Sequence, residues 1–269
     1  MKMFRFIAAG LAAALSLTAI GSTAYAAGGG TKPPSHEWHH AGPFGTYDRH
    51  AIQRGFQVYQ EICASCHALG QMSFRNLGQR GGPFEDGNFP NPNDNPIVMQ
   101  IAASYQIMDG PNDDGDMFER AGIPADTYPS PFENEQQARA SNGGAYPPDL
   151  SLIVRARGYG EDYIYGLLTG YHDAPEGYDL APGQYYNDYF PGNAIAMAPP
   201  IMDDMITYAD GTEATMEQMA EDVTVFLTWV GDPHMEARKQ TGWMVLIYLF
   251  IFTIIVYLAY RQIWANVKH

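Results

Sequence analysis

The stretch Asp48-Arg-His-Ala-Ile-Gln-Arg-Gly-Phe-Gln-Val-Tyr-Gln-Glu-Ile-Cys-Ala-Ser-Cys-His67 contains both cysteines of the 269-residue chain. Ile52, Phe56, Tyr59 and Ile62 recur at three- to four-residue spacing, which predicts a helix over 48–62 with Thr46 or Asp48 as its N-cap. The pentapeptide that follows, 63–67, reads C-x-x-C-H, the attachment signature of a c-type haem. Two thiols three positions apart at a helix end can each add to one porphyrin vinyl group. The adjacent imidazole is then held below the iron as its proximal ligand. Two other readings of C-x-x-C compete. A dithiol redox pair would sit in an alternating βα pattern, which is missing here. Half a zinc site would need further Cys or His ligands at ordered spacing, and there is no third cysteine. The reading is therefore one haem c, bound covalently through Cys63 and Cys66, with His67 on the metal.

Working outward, the two ends set the topology. Residues 1–26 read as a secretory signal: Lys2 and Arg5 open it, a run of small residues and leucines follows, and Ala24-Tyr25-Ala26 is an A-x-A cleavage site. Near the other end, 240–260 is an uncharged run bounded by Lys239 and Arg261. At ~1.5 Å per residue it is ~31 Å long, about one hydrocarbon core. Trp243 and Tyr260 sit near its edges, where amphipathic rings prefer the interface, and its apolar residues go all the way round. The expected layout is a signal over 1–26, an exported haem domain over 27–239, a transmembrane anchor over 240–260 and a cytoplasmic tail over 261–269. Arg261, Lys268 and His269 would then face the cytoplasm, and the head would lie on the periplasmic side of a bacterial inner membrane. No ionisable residue lies inside the span, so it carries no proton or ion path.

Between the ends, glycine (28) and proline (19) are abundant enough to predict much loop. Residues 28–47 read as an extended lead-in whose His36, His39 and His40 are solvated. Loops are expected over 78–96, 109–134 and 172–213, and a two-piece helical region over 150–171 broken near Gly158-Tyr159-Gly160. Thr215-Met216-Glu217-Gln218 reads as a capping box. It opens a helix whose apolar face is Met219, Val223, Phe226, Leu227 and Val230, ended by Gly231 and Pro233. A stalk over 232–239 follows. The net charge of −15 excludes nucleic acid as a partner, since phosphate recognition needs a basic face.

The sixth iron ligand is open to thirteen methionines and seven other histidines. A thioether would raise the potential and suit electron donation to a high-potential partner. Met197, in Asn193-Ala-Ile-Ala-Met-Ala-Pro-Pro200, is flanked by small alanines and pinned by prolines; Met202 is its nearest rival.

Four stretches taken together resemble the cytochrome c1 family, the haem subunit of quinol–cytochrome c oxidoreductase (the cytochrome bc1 complex). They are Asp109-Gly-Pro-Asn-Asp-Asp-Gly-Asp-Met117, Tyr146-Pro-Pro-Asp-Leu-Ser-Leu-Ile-Val-Arg-Ala-Arg157, Tyr189-Phe-Pro-Gly-Asn-Ala-Ile-Ala-Met-Ala-Pro-Pro-Ile201 and the C-terminal anchor. The resemblance runs from about Gly45 to the end and is weakest over 69–105. It implies a mainly α fold, a cytochrome c-like helical haem domain with long inserted loops plus one C-terminal transmembrane helix. It implies Met197 as the axial methionine and places Tyr163, Asn142 and Pro148 near the haem. It implies cytochrome b, a Rieske iron–sulfur protein, a cytochrome c-type electron acceptor and membrane lipid as partners, within a dimeric complex. Some relatives carry an extra cysteine pair that this chain lacks.

Charge adds two expectations. Residues 81–237 hold 27 acids and only four bases, Arg120, Arg139, Arg155 and Arg157. Haem propionates need cationic partners, and Arg157, which aligns with a propionate-binding arginine of the family, is the candidate. The acid clusters Asp113/Asp114/Asp116/Glu119 and Glu85/Asp86 could form a negative rim that steers a basic partner to the haem edge. A haem enzyme or gas sensor with an open sixth position, and a different anchored c-type cytochrome, are the rival readings.

Overall fold

A computed structural model describes residues 31–266. The expected signal, 1–26, lies outside the described residues, as do 27–30 and 267–269. In chain order the elements are helix α1 (Arg49–Glu61), α2 (Pro96–Ala103), strands β1 (Gln106–Asp109) and β2 (Phe118–Ala121), and helices α3 (Glu135–Ser141) and α4 (Glu161–Thr169). Strands β3 (Tyr185–Tyr186) and β4 (Ala194–Ile195) follow, then helices α5 (Met216–Gly231) and α6 (Met235–Trp264). The strands form two separate antiparallel pairs, so the architecture is mainly helical, as expected.

α1 starts where Asp48 accepts hydrogen bonds from the backbone N–H groups of His50 (2.8 Å) and Ala51 (3.4 Å). Its buried face holds Ile52, Phe56 and Tyr59 at the expected spacing, with Ala51, Gly55 and Val58 between them. This face packs on α5, which buries Met219, Val223, Phe226 and Leu227 and half-buries Val230. The two helices touch at Gly55, where an added Cβ would lie 2.0 Å from the Asp222 carbonyl oxygen and 2.7 Å from Phe226 Cβ. Only glycine permits that approach. Beside it, Arg54 grips the fully buried Asp222 carboxylate with two bonds of 2.8 Å, the fork geometry that suits a guanidinium. Half of the capping box forms: Thr215 accepts from Gln218 N–H at 3.1 Å, while the Gln218 side chain turns to Asp222.

Four sequence expectations need correction. The first piece of the 150–171 region is a chain of tight turns, not a helix; it nevertheless buries Leu150, Ile153 and Val154. The positive backbone φ of Tyr159 (68°) and Gly160 (55°) separates it from α4. Two of the expected loops are not wholly irregular: 109–134 contains β2, which pairs Glu119 with Met108, and 172–213 contains the β3–β4 pair. Arg120 stiffens the β1–β2 hairpin by binding Asp109 (2.5 Å) and Asp126 (2.6 Å). The lead-in is not a solvated tether. Trp38 is buried with its indole N–H on Asp162 at 2.7 Å, and His36 lies half-buried against the rings of Trp38 and Tyr165. His40 is 4% exposed, with Nε2 3.6 Å from Glu161; only His39 of the three is exposed. Finally, most of the expected stalk is the first turn of α6.

α6 is thirty residues long, about 45 Å at ~1.5 Å per residue. It is long and apolar enough to cross a membrane, and its apolar stretch is not buried against the head. Its root is fastened. Glu236 accepts from Arg49 (2.6 Å) and from Tyr47 N–H (2.8 Å), and Asp232 pairs with both Arg155 and Arg238. Lys239 Nζ donates to the carbonyls of His40 (2.7 Å) and Gly45 (2.9 Å).

Candidate functional site

α1 delivers its last turn directly into the C-x-x-C-H motif. Residues Cys63–Ser65 form a 3₁₀ turn in which the Cys63 carbonyl accepts from both Cys66 N–H (3.1 Å) and His67 N–H (2.9 Å). Burial pushes the Cys63 thiol up to about 12.

His67 is held by the segment 148–151. Its Nδ1 lies 2.8 Å from the Pro148 carbonyl oxygen. A carbonyl can only accept, so Nδ1 carries the proton and Nε2 keeps a free lone pair, the tautomer that a metal-ligating imidazole requires. Burial lowers the His67 pKa and so favours the neutral ring. Around this contact the two segments are laced together. Ala68 accepts from Leu150 N–H at 2.9 Å, and Asp149 accepts from Gly70 N–H (2.8 Å) and Ser151 N–H (2.7 Å). The Tyr59 hydroxyl donates to the His67 carbonyl at 3.0 Å. Thus Cys63, Cys66, His67 and Pro148 meet in one place.

A second group surrounds Met197. The β3–β4 hairpin is pinned by the buried Asn187, whose amide donates to Leu167 O (2.8 Å) and accepts from the N–H groups of Tyr189 and Phe190. Asn193, at φ 57°, bonds back to the carbonyls of Asn187 and Asp188. Ile195 and Ile201 are buried on either side of the loop they bracket, and Met197 between them is half-buried. The Tyr171 hydroxyl donates to the Met197 carbonyl at 3.1 Å. Met202, the rival, is 61% exposed.

Tyr163 is buried on α4, close enough to Tyr171 to raise its phenol pKa beyond what burial does. Burial raises the Tyr163 phenol too, and the nearby Arg157 cation partly offsets it. Arg157 is exposed. Arg120, Arg139 and Arg155 each hold a carboxylate, whereas among the described residues Arg157 holds none. Asn142 closes α3 and spends its amide on the Ala138 carbonyl (2.7 Å), with no bond to 63–67. Sequence reasoning missed Tyr171, Tyr59 and Asp149. For Asp149 a signal existed, an Asp two residues before Ser in a turn-forming stretch.

The cytochrome C1 family profile matches residues 38–267. The chain belongs to the cytochrome c1 family. It is 44% identical to cytochrome c1 of Rhodospirillum rubrum, over 96% of this chain and 97% of that one. It is 48% identical to a Bradyrhizobium diazoefficiens protein named cytochrome b/c1, over 88% of this chain but only 36% of that longer protein. It is 44% identical to the cytochrome b-c1 complex catalytic subunit, mitochondrial, of Candida albicans, over 94% of this chain and 84% of that one. In a cytochrome c1, Cys63, Cys66 and His67 are the haem-binding motif. The residues present fit that group: a neutral imidazole with its outer nitrogen tied down and its inner nitrogen bare, next to two free thiols.

Proposed function

We propose that this cytochrome c1 is a membrane-anchored monohaem electron carrier of a cytochrome bc1 complex. It takes one electron at a time from a Rieske iron–sulfur protein and gives it to a soluble or tethered cytochrome c. The observation that carries the reading is the hydrogen bond from His67 Nδ1 to the Pro148 carbonyl, which orients Nε2 for iron beside the two thiols. Haem, once bound, supplies a one-electron couple. The chain's own residues set that couple. Cys63 and Cys66 would tether the ring and His67 would ligate the iron. Met197 is the proposed second ligand, whose thioether would favour the reduced state. Its half-buried position in a pinned loop supports that role over Met202.

Arg157, free of carboxylates, is proposed to face the propionates, with Tyr163 and Asn142 lining the haem's surroundings. The chain makes and breaks no substrate bonds; quinol chemistry belongs to other subunits. The names of the Bradyrhizobium and Candida relatives support cytochrome b as a neighbour; that the complex is dimeric is part of the proposal. The head is proposed to lie on the periplasmic side of a bacterial inner membrane, held by α6. Of the two acidic clusters, Asp113, Asp114, Asp116 and Glu119 are exposed and are the proposed rim for a basic acceptor. Glu85 and Asp86 are occupied with the N–H groups of Gly81 and Asn88.

The test is a pair of variants. Met197→Leu lowers the midpoint potential and opens the iron to carbon monoxide, while Met202→Leu does neither. The reverse outcome overturns the assignment, and a mature chain without covalently retained pigment overturns the whole reading.

A further inference from the structure

The segment 38–45 turns back on itself at the root of α6, and its shape is heavily determined. Ala41 N–H donates to the Trp38 carbonyl at 2.9 Å. Gly42 has a φ of 71°, and a Cβ at Gly45 would lie 2.1 Å from the Ala41 carbonyl oxygen, so no other residue fits there. Lys239 Nζ holds the carbonyls of both arms, His40 and Gly45. At the tip, the Pro43 carbonyl accepts from the Trp243 indole N–H at 3.4 Å, and the Phe44 ring stacks on that indole, centroids 5.0 Å apart and planes 2° from parallel.

Phe44 is 77% exposed, more than any large apolar side chain of α6. A rigid turn thus holds a bare aromatic ring outside the head, at the height of the first turn of the uncharged stretch. Trp243 marks that height, since an indole this near the end of a membrane span sits at headgroup level. Arg238 and Lys239 lie about one helical turn above it, level with lipid phosphates. The ring is continuous with the lipid-facing surface of α6 and flanked by cations on its aqueous side, which is the layout of an interfacial insertion.

We propose that the turn over 42–45 is a second membrane contact, which inserts the Phe44 ring into the lipid interface beside Trp243. The head then meets the bilayer at two points, through α6 and through this turn. The proposal rests on the reading of α6 as the anchor, and its test separates the two.

With Cys63 and Cys66 consumed by thioether bonds in the haem-loaded full chain, a single added cysteine can be spin-labelled. Labels at Phe44→Cys, Leu249→Cys and Asp113→Cys are compared in vesicles of phosphatidylcholine and phosphatidylglycerol. The readout is the ratio of collisional relaxation by oxygen, which concentrates in lipid, to that by a water-soluble nickel chelate. The expected ratio is above unity at 249 and at 44 and below unity at 113. Nickel dominating at 44 while oxygen dominates at 249 overturns the proposal and leaves the anchor standing. Exclusion of both reagents at 44 also overturns it, because the tip of the turn is then covered by protein. Nickel dominating at 249 overturns the anchor reading itself. Should F44C lose its haem, Pro43→Cys on the same exposed tip gives the same discrimination.

Discussion

Replacing Asp149 tests how the proximal histidine is held. The carboxylate accepts one bond from Ser151 N–H (2.7 Å) through Oδ1 and one from Gly70 N–H (2.8 Å) through Oδ2. These two bonds tie the segment that carries the Pro148 carbonyl to the segment that carries His67. The side chain is exposed, so each bond contributes about 1 kcal/mol. Asp149→Ala removes both and is expected to cost about 2 kcal/mol. For a domain of this size that lowers the melting temperature by roughly 4–8 °C. Asp149→Asn keeps the bond to Ser151 but turns an NH₂ group toward Gly70 N–H, so it falls between Ala and wild type.

The second readout is the haem. With Pro148 less firmly placed, the hydrogen bond to His67 Nδ1 weakens, the imidazole donates less electron density, and the reduced iron gains relative to the oxidised. The midpoint potential therefore rises in the order wild type, Asn, Ala. Thermal melts followed at the haem absorption band, together with redox titrations, measure both quantities on one sample. An Asp149→Ala protein with unchanged melting and unchanged or lowered potential refutes the reasoning.

Three further outcomes are expected. Gly55→Ala gains about 1 kcal/mol of helix propensity, but a Cβ 2.0 Å from a backbone oxygen must push α1 and α5 apart. Such overpacking costs about 1–3 kcal/mol, so a net loss should appear as a lower denaturant midpoint. The His40 imidazole, with Nε2 3.6 Å away, holds the Glu161 carboxyl below the usual carboxylate range, against the opposing effect of burial. That stabilisation is present above the unfolded pKa of about 4.3 and disappears as pH falls through the lower folded value. Glu161→Gln should therefore flatten the acid limb of the stability–pH curve below about pH 4, measured by urea denaturation. Arg157→Gln removes only a 3.3 Å bond to Ala156 O and should shift stability by less than about 0.5 kcal/mol. It should nevertheless lower the midpoint potential, because unneutralised propionates favour oxidised iron; an unmoved potential assigns Arg157 to the surface alone.

The elements legible in the sequence are those with a long period or a fixed chemistry. α1 and α5 show four or five apolar positions each at helical spacing, because both bury one face against the other. The membrane-length helix is legible because lipid demands an unbroken apolar run. C-x-x-C-H is legible because two thioethers and one ligand allow little other spacing. The rest depended on contacts distant in sequence. β2 reads Phe-Glu-Arg-Ala and is mostly exposed, so it leaves no alternation to detect. The turns at 150–157 bury apolar residues without helical hydrogen bonding, and apolar spacing alone cannot tell the two apart. The burial of His40 follows from Trp38 docking on Asp162, more than a hundred positions away. Within the site, Pro148 was expected near the haem by resemblance, but its role is a carbonyl, which has no side-chain signature at all.

One feature of α6 reaches beyond anchoring. It runs without interruption from Met235 in the head to Trp264, and Glu236, Asp232 and Lys239 weld its upper end to three different segments. A joint built this way holds the head to the helix through several separate contacts; on the proposed electron-carrier reading, the haem site would stay at a fixed place relative to the anchor. On that reading, the proposed donor and acceptor would have to come to the haem rather than the haem to them.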